Sequence, residues 1–170
     1  MAKTAERSAA RLAAVQALYQ MDVAGKGVID ALAEFEAFWI GQEVEGVAFK
    51  PAENAFFRAI LSGVVQEQRA VDGKVDEILA EAWPLKRVEA VLRAILRAGV
   101  YELMFRKDVP ARVIISEYVD IAHGFYSEDE PGLVNAVLDG VAREVREGEL
   151  EAKRTARPAK TAPRRAGKAR

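Results

Sequence analysis

Three basic side chains and one aromatic ring near the amino end could together bind single-stranded RNA. Arg7 and Arg11 are four residues apart, so in a helix they share one face, and Lys3 lies just before them. Tyr19 follows Arg11 by about two helical turns. Cations neutralise phosphates and an aromatic ring lets bases stack, which are the two needs of an unpaired strand. The spacing leaves an alternative open, namely a solvated arginine face with Tyr19 packed in the core.

The other side chains offer little for catalysis. The chain has no cysteine and a single histidine, His123, whereas acid–base and nucleophilic catalysis draw heavily on these residue types. His123 has no partner at metal-ligand spacing, so a helix-end or interface position is the preferred interpretation. We therefore expect no catalytic residue, no metal site and no cofactor, and we do not expect an enzyme.

Neither the glycine-rich nor the acidic segments match a ligand-binding loop. Gly25-Lys26-Gly27 lacks the third glycine of a dinucleotide-binding GxGxxG loop, and no GxxxxGK[ST] sequence occurs. The acidic residues 128–130 lack the alternating spacing of a calcium loop. We interpret the first segment as a break between helices and the second as a solvated loop.

Helices must position these residues, because apolar residues recur at helical spacing along nearly the whole chain and no segment alternates like a strand. The pattern predicts an all-α fold of about seven helices in one compact domain. Helices are expected over about residues 5–21, 28–40, 75–82 and 86–105. A third helix should begin at Pro51, with Val71 near its end. A sixth helix should follow Pro110, and a seventh should follow Gly132.

Details of these helices are also predicted. Thr4 is expected to cap the first helix, whose buried stripe would include Leu12 and Val15. Residues 41–50 are expected to form an acidic loop. The fifth helix is the most apolar and should be the most buried.

The net charge of −1 hides two segments of opposite charge. Residues 1–151 hold 17 Lys and Arg against 26 Asp and Glu, whereas residues 152–170 hold eight basic and no acidic residues. An acidic body needs a local basic patch to bind RNA. The end of the chain has too few apolar residues to offset the entropy of ordering. We therefore predict one helical domain at residues 1–148, whose RNA-binding role follows from the family resemblance given below, and a disordered basic tail at residues 149–170.

Nothing in the sequence suggests a membrane protein. Charged residues interrupt every apolar run before it reaches the roughly 18 residues of a membrane-spanning helix. The first residues run directly into an amphipathic pattern instead of the apolar core of a signal peptide. We expect a soluble, cytoplasmic protein.

Four segments, in order and in register, resemble the NusB family. Its opening helix, with a basic cluster followed by AVQALY, resembles residues 7–19; its ILR and YEL helix resembles residues 95–103. Its VP segment and its closing VNxVLD helix resemble residues 109–122 and 134–139. The likeness extends over roughly residues 5–146, and four ordered motifs are far more specific than any one of them.

The resemblance implies an all-α fold of about seven helices in two packed bundles and a role in transcription antitermination. Such proteins bind the boxA element of nascent RNA together with the ribosomal protein also called NusE. They do so within an RNA polymerase antitermination complex that promotes ribosomal RNA transcription. Carried over to this chain, the RNA-binding residues would be Arg7, Arg11 and Tyr19, with Lys3 beside them and Asp129 in an acidic loop. Ser8 and Ala9 stand where many relatives have further arginines, so the basic patch is thinner here.

Alternative interpretations stay open at this point. The chain could be a helical adaptor that binds proteins without touching RNA, and it could be a monomer or a homodimer. A NusB-like domain of an RNA cytosine methyltransferase is disfavoured, because no glycine-rich cofactor loop follows. The tail at residues 152–170 either adds phosphate contacts or serves only solubility. Its deletion flattens the salt dependence of RNA affinity in the first case and leaves it unchanged in the second.

Overall fold

The computed structural model describes residues 2–38, 43–44, 47–48, 53–79 and 88–150, with side chains from residue 4 to 37 and in the last two ranges. These ranges contain seven helices and one short hairpin. The elements are α1 (Ala2–Ala24), α2 (Val28–Phe38), β1 (Glu43–Val44), β2 (Val47–Ala48), α3 (Asn54–Gln66), α4 (Gln68–Ile78), α5 (Ala90–Phe105), α6 (Ala111–Phe125) and α7 (Glu130–Val145). The prediction of an all-α fold is confirmed. The segment expected to be an acidic loop instead holds the two antiparallel strands, with Glu43 opposite Ala48.

Helix α5 is the centre of the fold, because both groups of helices pack against it. Helices α1, α2 and α3 pack on one another, and α1 and α3 contact α5. Helices α4, α6 and α7 form the second group, and each of them also contacts α5. Residues on all sides of α5 are buried, including Leu92, Ile95, Leu96, Val100 and Leu103. The predictions of two packed bundles and of a most buried fifth helix are both confirmed.

Two glycines allow α5 to approach its neighbours closely. A Cβ atom added to Gly63 of α3 would lie 2.1 Å from Cζ of Tyr101, and one added to Gly99 of α5 would lie 2.9 Å from a methyl carbon of Leu138. Both distances are shorter than van der Waals contact allows, so larger residues would force the helices apart. The α3–α5 and α5–α7 contacts therefore depend on these glycines.

Several predicted helix boundaries are wrong. Thr4 does not cap the first helix, because α1 begins at Ala2 and the Thr4 carbonyl accepts a hydrogen bond from Ser8 Oγ at 2.9 Å. The third helix does not continue to Val71, because Glu67 leaves the helical conformation (φ −106°, ψ 18°) and α4 starts at Gln68. Helix α7 begins at Glu130 instead of after Gly132, since a proline is well accommodated in a first turn.

Some predictions fall on residues outside the described ranges. These are the end of the second helix at Ile40 and the tail beyond residue 150. The predicted helix starts at Pro51 and Lys86 are wrong, because the non-helical Glu53 and Glu89 directly precede α3 and α5, which begin at Asn54 and Ala90. Within the described ranges, no helix combines the length and the apolar character that crossing a bilayer requires.

Candidate nucleic-acid interface

Arg11 is buried and paired, so it does not belong to an exposed basic stripe. Its side chain is 2% exposed, and its Nε and Nη2 donate to the two carboxylate oxygens of Glu102 at 2.8 and 3.0 Å. Tyr118 of α6 donates to the same carboxylate at 2.5 Å. The expectation that Arg11 and Arg7 share a solvent-facing surface is therefore wrong for Arg11. The physical reason is that Glu102, on the most buried helix, requires a cation.

This network joins three helices and shifts the pKa values of Arg11 and Tyr118. Burial by itself would lower the pKa of Arg11, but the hydrogen bond and the charge of Glu102 outweigh it and raise that pKa. Burial, followed by the Glu102 charge, raises the pKa of Tyr118 well above its usual value. Both side chains therefore keep their protons at physiological pH. Arg11 acts as a positioning residue that fixes α1 against α5 and α6.

Arg7 lies one turn earlier and remains accessible. Its side chain is 33% exposed, and Nε donates to Glu53, the residue before α3, at 3.2 Å. The guanidinium carbon lies 4.5 Å from the ring centroid of Phe56. Because Glu53 is itself 30% exposed, this ion pair is solvated and contributes little to stability. Arg7 is thus a cation held in a defined position, and another anion can replace the carboxylate of Glu53 as its partner.

Tyr19 lies in a groove about three helical turns beyond Arg7 on α1. The groove has a volume of about 300 Å³ and is mostly apolar. Its lining comes from four helices: Val15, Gln16, Tyr19 and Gln20 of α1, Phe35 of α2, Val91 of α5 and Phe125 of α6. Tyr19 is partly buried against the core, as the alternative interpretation predicts, and it also borders the open groove. Its contact with RNA stays a prediction.

Phe125 is a residue that the sequence analysis missed. It ends α6, is 44% exposed and lines the same groove as Tyr19. The rings of Tyr19 and Phe125, which border the groove beside the buried Phe35, suit the stacking of unpaired bases. An aromatic residue three positions before the acidic residues 128–130 was the signal that could have pointed to it.

Asp129 lies in the loop that follows Phe125. It is exposed, occupies the residue before α7 and caps no backbone amide with its side chain. The loop is anchored to the start of α5, since the hydroxyl of Tyr126 hydrogen-bonds the carboxylate of Glu89. Burial and this hydrogen bond raise the pKa of Tyr126 above its ordinary range. Asp129 is therefore accessible on a loop that begins at the edge of the groove.

The predicted residues thus occupy different settings. Arg7, Tyr19 and Asp129 are at least partly accessible, whereas Arg11 is buried. Lys3 belongs to α1, but its side chain lies outside the described residues. Among the described side chains, no group of three potential ligands could hold a metal ion.

The fold and this surface define a class of protein: an all-helical, two-bundle body whose first helix carries a cation at one end and an aromatic groove at the other. Comparison with known proteins agrees with this class. The family model described as NusB family matches residues 8–143. The chain therefore belongs to the NusB family.

Named relatives are similar over most of their length. A protein from Rhodopseudomonas palustris (strain ATCC BAA-98 / CGA009), named transcription antitermination protein NusB, is 61% identical over 148 residues, which cover 87% of this chain and 85% of the relative. A protein of the same name from Bradyrhizobium sp. (strain BTAi1 / ATCC BAA-1182) is 62% identical, with 87% and 88% covered.

Solved structures share the fold. The structure of T. maritima NusB has a TM-score of 0.68 and 29% identity, covering 85% of this chain and 96% of that one. The structure of antitermination factors NusB and NusE in complex with dsRNA has a TM-score of 0.66, with coverages of 81% and 96%. At 24% identity, this second likeness speaks for the fold only.

Proposed function

We propose that the protein is a transcription antitermination factor that binds boxA-type single-stranded RNA together with NusE in an RNA polymerase antitermination complex. The observation that carries this proposal is the family match over residues 8–143, together with relatives named transcription antitermination protein NusB. The structure of NusB and NusE in complex with dsRNA shows these partners for a protein of the same fold, and we extend them to this chain through its family membership. The protein acts by binding in the cytoplasm and is not an enzyme.

The surface of α1 supplies the physical basis for RNA contact. Arg7 offers a solvated guanidinium, and Tyr19 and Phe125 border an open groove about three turns of helix away. A strand lying along α1 would place a phosphate at Arg7 and bases near the two rings. Lys3 adds to the cationic end in this proposal. Asp129 can accept hydrogen bonds from base amino groups, because its carboxylate is exposed and not used as a helix cap.

A measurement of RNA binding distinguishes the proposed function from that of a protein-binding adaptor. Full-length protein is titrated with a labelled boxA-type RNA, with NusE absent and then present in excess, and with a scrambled RNA of equal length as the control. We expect boxA-type RNA to bind more tightly than the scrambled RNA, and NusE to increase this difference. Binding of NusE with no binding of either RNA would replace the proposed function with that of an adaptor.

A further inference from the structure

Three guanidinium groups lie over one aromatic ring, two of them from α1 and the third from the residue that follows α5. The guanidinium carbons of Arg7, Arg11 and Arg106 lie 4.5, 4.9 and 5.0 Å from the ring centroid of Phe56. Arg7 and Arg11 belong to α1, whereas Arg106 directly follows the last residue of α5. Arg11 is buried in its ion pair with Glu102. The other two cations of this cluster are accessible to solvent, with 33% of the Arg7 side chain and 23% of the Arg106 side chain exposed.

An exposed carboxylate, that of Asp108, pairs with one of these two cations. Nε and Nη2 of Arg106 each donate to Asp108 at 3.0 Å, and the Asp108 side chain is 57% exposed. The hydrogen bonds from Arg106 lower the pKa of Asp108, and the charge of Arg7 contributes to the same shift. Both arginines therefore stabilise the charged form of Asp108. Because a solvated ion pair of this kind contributes little free energy, a stronger anion can displace its carboxylate.

We propose that Arg106 and Arg7 together form a phosphate-binding site for the backbone of single-stranded RNA, and that the RNA displaces Asp108 from Arg106. This inference rests on the proposed function and extends the RNA surface from α1 to the end of α5. A planar guanidinium binds phosphate oxygens in pairs, as it binds a carboxylate here. The shared contact with Phe56 keeps the two cations close enough to serve one phosphate or two neighbours on a strand.

The backbone around Arg106 is held rigidly, which suits a binding role. Nη2 of the buried Arg146 donates to the carbonyl of Arg106 at 2.8 Å, and the amide of Val109 donates to the same carbonyl at 3.0 Å. The site compensates for the thin basic patch of α1, where Ser8 and Ala9 carry no charge. A contact to the backbone holds the strand without reading its sequence.

The test uses two charge-changing variants of the full-length protein, Arg106→Gln and Asp108→Asn. Each is titrated, with NusE present, with a boxA-type RNA and with a short oligouridine over a range of salt concentrations. Arg106→Gln should lower the affinity for both RNAs by about tenfold. It should also lower the slope of log affinity against log salt by about 0.7. Asp108→Asn should raise the affinity for both RNAs by roughly threefold, because it removes the competing anion.

The matched controls are Arg143→Gln and Asp139→Asn. This arginine and aspartate form a similarly solvated pair on α7, with Nε and Oδ2 2.8 Å apart, so they reproduce the charge changes away from the site. Equal RNA affinity in wild type, Arg106→Gln and Asp108→Asn would overturn the inference. So would a loss in Arg106→Gln confined to the boxA-type RNA, because a backbone contact affects both RNAs. If wild type binds neither RNA, the proposed function itself fails.

Discussion

Replacing Glu102 with Ala should lower the free energy of unfolding by about 3–5 kcal/mol, because the buried guanidinium of Arg11 loses its hydrogen-bonded carboxylate and keeps the looser ion pair with Glu117, 3.8 Å away. Glu102 is fully buried and accepts hydrogen bonds from Arg11 and Tyr118, so the substitution removes the shared partner of α1 and α6. Equilibrium unfolding in urea, followed by circular dichroism, measures the change.

The control is Asp139→Ala, which breaks the exposed pair with Arg143 and should cost less than about 1 kcal/mol. The double substitution Arg11→Met with Glu102→Leu should cost less than the sum of the two single substitutions, since no charge is then left unpaired. If Glu102→Ala destabilises the protein no more than Asp139→Ala does, the buried pair does not hold α1 in place.

Arg146→Met should cost about 3 kcal/mol or more, because four carbonyl groups each lose a charged donor at once, and a backbone amide still donates to only two of them, those of Glu102 and Arg106. The guanidinium of Arg146 donates to the carbonyls of Glu102, Leu103, Arg106 and Val109 at 2.8 to 3.2 Å. These carbonyls lie in the last turn of α5 and the loop after it, where a helix lacks donors of its own and favours a positive charge.

Arg146→Lys is the informative companion, because it keeps the charge but not the planar fork of donors. We expect its loss of stability to lie between those of wild type and Arg146→Met. Both variants should also weaken RNA binding, since the same loop positions Arg106, although Arg146 itself is 6% exposed and cannot reach RNA. A cost below 1 kcal/mol for Arg146→Met would show that the loop is held by other contacts.

The sequence was sufficient for the fold where apolar residues repeat over a long helix. The positions of α5, α6 and α7 follow from that repeat, and the burial of α5 follows from its lack of a polar face. The boundary at Glu67 could not be predicted in this way. The apolar repeat continues through Val64, Val71 and Val75, and only the local backbone conformation separates α3 from α4.

The candidate site was predictable only in part, because helical spacing shows which residues share a face and not what that face contacts. Arg7 and Arg11 are correctly placed one turn apart, but the partner of Arg11 is 91 residues away in the sequence. The buried stripe of α1 is accordingly shifted: Arg11 is inside, and Leu12, expected inside, is 39% exposed. A lone carboxylate in the most apolar helix was the available sign that Glu102 needs a buried cation.

Arg106 and Phe125 escaped prediction for a related reason. Each lies at the end of a helix, and its neighbours on the surface come from distant parts of the chain. The spacing of Phe56 predicts an ordinary core residue, and its side chain is indeed only 2% exposed. Three arginines nevertheless lie over its ring. Such clusters depend on how the two bundles dock, which local patterns do not encode.

The central claim is that the solvated guanidinium of Arg7 contacts the RNA, and the salt dependence of binding by Arg7→Gln tests it most directly. Arg58→Gln is the matched control, because Arg58 forms an equally long 3.2 Å ion pair with Glu36 on the surface. We predict that Arg7→Gln weakens boxA-type RNA and lowers the salt slope by about 0.7, while Arg58→Gln leaves the slope unchanged. Identical affinities and slopes for Arg7→Gln and Arg58→Gln would contradict the claim.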